Sequence, residues 1–244
     1  MMDTLTPPDL WLPSRPAIIR AASMRDVEAQ FPFPTFMPAK GFPFPRGALA
    51  FRSILASGNT SVNLAPSVAG DLVFVLVQAI RSGGAVTVNT PAGFTQLYQT
   101  SGASIRASAV FYKVSSGSEP STITISFSGT AATEHDWFSF SIANSLGSPE
   151  AGTLATGTGT SVTPPSLSPS WGNKRTLWIC QVANNAAPGD YTNANYNLSS
   201  NSGSSMRSNV AWRQNAVATE SPGAFSFSGS SSAWAAQTIA IRGK

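Results

Sequence analysis

From residue 51 onward the hydrophobic positions come in short runs broken by Gly, Ser, Asn and Pro, the punctuation of an all-β domain. The clearest run is Ser121 to Ser128, where Ile123, Ile125 and Phe127 alternate with Thr122, Thr124 and Ser126. Side chains along a strand point to opposite faces, so this pattern predicts one apolar and one hydroxyl-rich face. The same reading predicts strands at Phe51–Ser57, Asp71–Ile80, Ala85–Asn89, Phe94–Thr100, Ile105–Val114 and Trp137–Ala143. It continues at Arg175–Ala183, Asn195–Leu198, Met206–Gln214, Ala224–Ser228 and Ala233–Arg242, with no long helical period in competition.

The two halves of this region match in order. Asp71-Leu72-Val73 aligns with Arg175-Thr176-Leu177, Ser104-Ile105-Arg106 with Ser205-Met206-Arg207, and Glu119-Pro120 with Ser221-Pro222. The match runs on through Ser126-Phe127-Ser128-Gly129 with Ser226-Phe227-Ser228-Gly229, Trp137 with Trp234, and Ile142 with Ile241. A unit of about 100 residues is therefore read twice, as 51–150 and 151–244. A half of five or six strands has a sheet face to cover, so the expectation is a jelly-roll-like β-sandwich built from two repeated halves, with two separate small sandwiches as the alternative.

Residues 1–50 read differently. They hold nine of the eighteen prolines, which confine helix to the neighbourhood of Ala17 to Gln30 and leave the rest extended. Phe31-Pro32-Phe33-Pro34 recurs as Phe42-Pro43-Phe44-Pro45, with Phe36 and Met37 between. Phe31, Phe33, Phe36, Phe42 and Phe44 are too apolar for a solvated linker and need a surface to bury against, on a partner or on the chain's own β domain. Fully stretched, such an arm reaches on the order of 150 Å, enough to cross several neighbouring subunits.

Composition narrows the chemistry. Charged residues are 11% of the chain, and the fifteen basic ones are scattered singly apart from Lys174-Arg175, so no stripe exists to follow a phosphate backbone and no nucleic-acid partner is expected. Leu72 to Ile80, the longest apolar run, is far short of the roughly twenty residues a membrane-spanning helix needs, and the start of the chain reads as no secretory signal. Cys180 lies within an apolar run and reads as a buried thiol.

His135 is the one histidine, and no Gly-x-Ser-x-Gly elbow or spaced metal-ligand set accompanies it, so neither a serine triad nor a zinc site is expected. Glu134 and Asp136 stand two apart and resemble part of the Glu-x-Asp-x-x-Glu strand of laminarinase-like glycoside hydrolases, but the third position is Ser139. A solvated strand start is the plainer reading of that pair. Calcium at Asp190, Asn193 and Asn195 is disfavoured by low carboxylate density. The expectation is a non-enzyme with no cofactor. For a bound ligand such as a host-surface glycan, the Asn-rich stretch Asn184 to Asn201 with Tyr191 and Tyr196 is the best loop candidate.

Three stretches together carry a family resemblance: Gly70-Asp71-Leu72-Val73, Pro91-Ala92-Gly93-Phe94-Thr95, and Val110-Phe111-Tyr112-Lys113-Val114 with Glu119-Pro120. They resemble a β-sandwich module of tailed-bacteriophage particle proteins and bacterial surface proteins. The opening Arg15-Pro16-Ala17-Ile18-Ile19-Arg20-Ala21-Ala22 is similar to the start of phage proteins encoded among head and tail genes. The resemblance implies a virion structural protein whose arm joins capsid, neck or tail proteins while the sandwich serves as decoration, fibre or adhesion element. It implies a homo-oligomer by analogy with virion symmetry.

Overall fold

The computed structural model describes residues 49–57, 60–80, 85–101, 106–129, 134–184, 191–202, 207–227 and 232–244. The arm phenylalanines Phe31, Phe33, Phe36, Phe42 and Phe44 lie outside them. The described residues form strands and no helix. The first nine strands are β1 (Ala50–Ser57), β2 (Ser61–Asn63), β3 (Leu72–Ile80), β4 (Val86–Val88), β5 (Thr95–Ser101), β6 (Arg106–Val114), β7 (Thr122–Thr124), β8 (Phe127–Gly129) and β9 (Glu134–Ala143). The next nine are β10 (Glu150–Ala151), β11 (Ala155–Gly159), β12 (Ser161–Val162), β13 (Lys174–Asn184), β14 (Tyr191–Thr192), β15 (Asn197–Ser202), β16 (Arg207–Val217), β17 (Phe225–Phe227) and β18 (Ser232–Arg242).

All pairings are antiparallel. One large sheet runs β1-β9-β3-β6-β5, and a second runs β10-β18-β13-β16-β15, with β11 also on β18. The smaller sheets are β2-β7, β4-β8 and β12-β17-β14.

The central strands explain the layering. β3 is apolar on both faces, so each face needs a cover. Leu72, Phe74 and Leu76 join Phe138, Phe140, Ile142, Leu177, Ile179, Ile239 and Ile241 in the layer between the two large sheets. Val73, Val75 and Val77 point the other way and are covered by Val62, Val86, Val88 and Ile125 of the small sheets. β13 repeats the arrangement, with Leu177 and Ile179 facing the first sheet and Cys180 and Val182 lying under Val162, Tyr191, Phe225 and Phe227. Two large sheets therefore pack face to face, and each carries a smaller layer on its outer side. Each large side chain so buried contributes roughly 1.5–3 kcal/mol.

Polar groups pin these layers. Ser141 Oγ donates to Pro66 O at 2.6 Å, and Thr238 Oγ1 donates to Pro165 O at 2.6 Å, each tying a small outer layer to its large sheet. Between the large sheets, Ser208 Oγ donates to Gln78 Oε1 at 2.5 Å and Ser108 Oγ to Gln181 Oε1 at 3.5 Å, with all four side chains buried.

The run Ser121 to Ser128 departs from expectation. It divides into β7 and β8, which pair with different strands, β2 and β4. The predicted alternation holds, since Thr122, Thr124, Ser126 and Ser128 are exposed and Ile125 is buried. One crossing segment covers two neighbours, and the ladder changes partner between them. The Gly- and Thr-rich stretch 152–170, where the sequence pattern predicts no strand, contains β11 and β12.

Candidate functional site

The loop proposed for ligand contact turns its tyrosines inward. Tyr191 pairs with Phe227 in the β14–β17 ladder and meets its ring edge-on at 5.0 Å, while Tyr196 lies 5.5 Å from Phe225. They are 2% and 8% exposed, so neither ring offers a stacking platform to solvent. Strand alternation is the cause: with Tyr191 packed on the core, Thr192 takes the outer face.

What the loop presents is a depression of about 680 Å³ lined by Thr192, Asn193, Asn195, Leu198, Pro222 and Ala224 among others. Its two walls are fastened together. Asn193 Nδ2 donates to Pro222 O at 3.1 Å and to Ala224 O at 3.2 Å, and Asn193 Oδ1 accepts from Asn195 N at 3.0 Å.

Beneath it lies a buried ionic brace. Glu220 is 0% exposed, and its carboxylate accepts from the Tyr196 hydroxyl and Arg213 Nη2, with Asn215 Nδ2 at 3.4 Å. The Arg213 guanidinium sits 4.8 Å over the Tyr196 ring, a cation–π contact. Burial first, and then the neighbouring Glu220 carboxylate through its hydrogen bond and its charge, raise the Tyr196 phenol above its ordinary value. Burial also pushes the Cys180 thiol up to about 12, so it is held as an inert thiol as its sequence context predicts.

The first half carries a like-built brace. Lys113 Nζ pairs with Glu119 at 2.5 Å and lies 5.6 Å over the Phe94 ring. Glu119 also accepts from Ser116 N at 2.8 Å, and Lys113 followed by this N–H holds its carboxyl below the usual range. Phe94, Lys113 and Glu119 are among the residues that carry the family resemblance, and folding brings them together. The sequence contained the second brace too: Arg213 and Glu220 stand seven apart, against six for Lys113 and Glu119. Aligning Glu119 with Ser221 instead of its neighbour Glu220 concealed it.

Of the carboxylate pair considered for sugar chemistry, Asp136 is buried and not solvated. Asp136 is 1% exposed and shares the parity of Phe138, Phe140 and Ile142, which face the layer between the large sheets. Ser139 points to the opposite side, where its Oγ accepts from Ala65 N at 2.9 Å. His135 lies 5.3 Å from the Phe127 ring. Among the described residues no cluster of three His, Cys, Asp or Glu side chains could hold a metal, and no helix is long and apolar enough to cross a membrane.

Compared with protein-family models, with curated proteins and with solved structures, the chain matches none.

Proposed function

We propose that the protein is a structural, non-catalytic component of a bacteriophage particle. Residues 1 to 50 anchor it among capsid, neck or tail proteins through Phe31, Phe33, Phe36, Phe42 and Phe44, and residues 51–244 stand outward as a homo-oligomeric decoration, fibre or adhesion element. The observation that carries this reading is the use made of the signature residues. Phe94, Lys113 and Glu119 spend their chemistry on one another as a brace, which is the work of a scaffold. Duplication of a jelly-roll-like half belongs to the same proposal. It is supported by the matching strand orders of the large sheets, by the two like braces, and by the hydroxyl-to-proline ties at Pro66 and Pro165.

Deletion of residues 1 to 48, which spares Leu49 in the core and Ala50 in β1, is expected to leave a folded β body, read by circular dichroism, that no longer enters particles in an assembly assay. Incorporation at the full-length level would overturn the anchoring role.

A carbohydrate- or receptor-binding module is the second reading, favoured by the fastened walls of the depression. A pre-formed site forfeits less ordering free energy on binding. Glycan-array binding that survives Thr192→Ala and Asn195→Ala together would exclude the depression as its site.

A further inference from the structure

Apart from Lys174-Arg175 the basic residues are dispersed in sequence, but the fold gathers three of them, Lys174, Arg242 and Lys244. In the β13–β18 ladder Arg242 stands opposite Thr176. Gly243 N then donates to Arg175 O at 2.9 Å, which holds the chain beside β13 just past the end of β18, with Lys244 the next residue. Alternation puts Lys174 and Thr176 on one face of β13, and Arg242 and Lys244 on the same face of the neighbouring chain. Lys174, Arg175 and Lys244 are exposed and Arg242 is half-buried. None of Lys174, Arg242 and Lys244 enters an ion pair with a described residue, whereas Lys113 and Arg213 both do. Glu150, which the ladder places opposite Ala240 near this face, already accepts from Ser170 N and its hydroxyl.

An aromatic ring is fixed beside these cations. Trp171 Nε1 donates to Thr176 Oγ1 at 3.0 Å, and Thr176 Oγ1 donates to Lys174 O at 2.9 Å. The turn that delivers the ring is closed by Gly172 N donating to Pro169 O at 3.0 Å, with Gly172 at φ +61°, a conformation glycine adopts without strain. Trp171 is only partly buried.

We propose that this face binds an acidic glycan, with its acid groups on Lys174, Lys244 and Arg242 and a sugar ring against Trp171. Arg242 is the partner of Thr176, so Lys174 is its diagonal neighbour across the ladder, about 7–8 Å away, and their two cationic groups can share one carboxylate or phosphate or meet two successive ones. Lysine presents a compact charge on a flexible stem, suited to an acid group that varies in orientation along a polymer. The indole face supplies apolar contact for a sugar ring, which an acidic peptide would not use. The inference goes beyond the anchoring role and uses neither the arm nor the depression.

The test measures binding of the full-length protein, by biolayer interferometry at low salt, to four polymers: polygalacturonate, a phosphate-bearing polysaccharide, polyglutamate and dextran. At least one acidic polysaccharide is expected to bind about tenfold tighter than polyglutamate or dextran. That binding is expected to weaken with added salt, and to fall about tenfold in Lys174→Ala/Lys244→Ala and in Trp171→Ala. Trp171→Phe, which keeps a ring, should retain more binding than Trp171→Ala, and circular dichroism checks each variant's fold. The carboxylate and phosphate arms identify which acid is preferred. Polyglutamate binding as tightly as both polysaccharides, absence of binding to either polysaccharide, or indifference to the lysine pair would overturn the proposal.

Discussion

Arg213 and Lys113 make the same contacts in kind, yet their surroundings give them different weights. Glu220 is fully buried, and Arg213→Met would leave its carboxylate without a cation, at a cost of about 3–5 kcal/mol. For a chain of this size that lowers Tm by on the order of 10 °C. Glu119 keeps 8% of its side chain exposed and also accepts from Ser116 N, so Lys113→Met leaves a carboxylate that water can reach and is expected to cost only about 1 kcal/mol or less. Because the Glu119 carboxyl is held low in the folded state, its contribution is present above the ordinary carboxylate pKa and is lost as pH falls through the lowered value. Thermal melts of both variants at neutral and acid pH check this. Equal losses at neutral pH, or a Lys113→Met deficit that grows on acidification, would contradict it. Both cations were plain in the sequence, and the different burial of their carboxylates was not, because a charge seven residues from a carboxylate looks like one six residues away.

β11 owes its place to a glycine. Gly157 stands opposite Trp234 in the β11–β18 ladder, and a Cβ there would lie 2.4 Å from the indole Cζ2. Gly157→Ala should therefore cost roughly 1–3 kcal/mol, and Gly157→Ala combined with Trp234→Leu should cost less than the sum of the two single changes. Urea denaturation of the four proteins measures the coupling, and strict additivity would refute the contact. β11 was invisible in the sequence because Ala155 to Gly159 has no apolar alternation, and its ladder partner lies over seventy residues away. The long central strands were legible for the opposite reason, since Leu72–Ile80 and Lys174–Asn184 are apolar enough to have no other use. Their mutual alignment was one residue out: Leu72 and Leu177 both face the layer between the large sheets, whereas the sequence match sets Leu72 against Thr176. A slip of one residue reverses every face, and in runs apolar on both sides composition cannot detect it.

At the scale of the molecule, the layering follows from those two-faced strands. A sheet apolar on one side needs one neighbour, whereas β3 and β13 each need two, so each large sheet packs on the other and beneath a small outer layer. The cation cluster at Lys174, Arg242 and Lys244 and the inward turn of Tyr191 and Tyr196 belong to the same scale. The sequence by itself determined the all-β class, the positions of the long strands and the buried state of Cys180, because each is set by local alternation and composition within a few residues. Tertiary structure alone decided which tyrosines reach water, which carboxylates acquire a cation, and which cations share a face. Each of these depends on the register between strands tens of residues apart, and a period of two leaves that register open until the faces are packed.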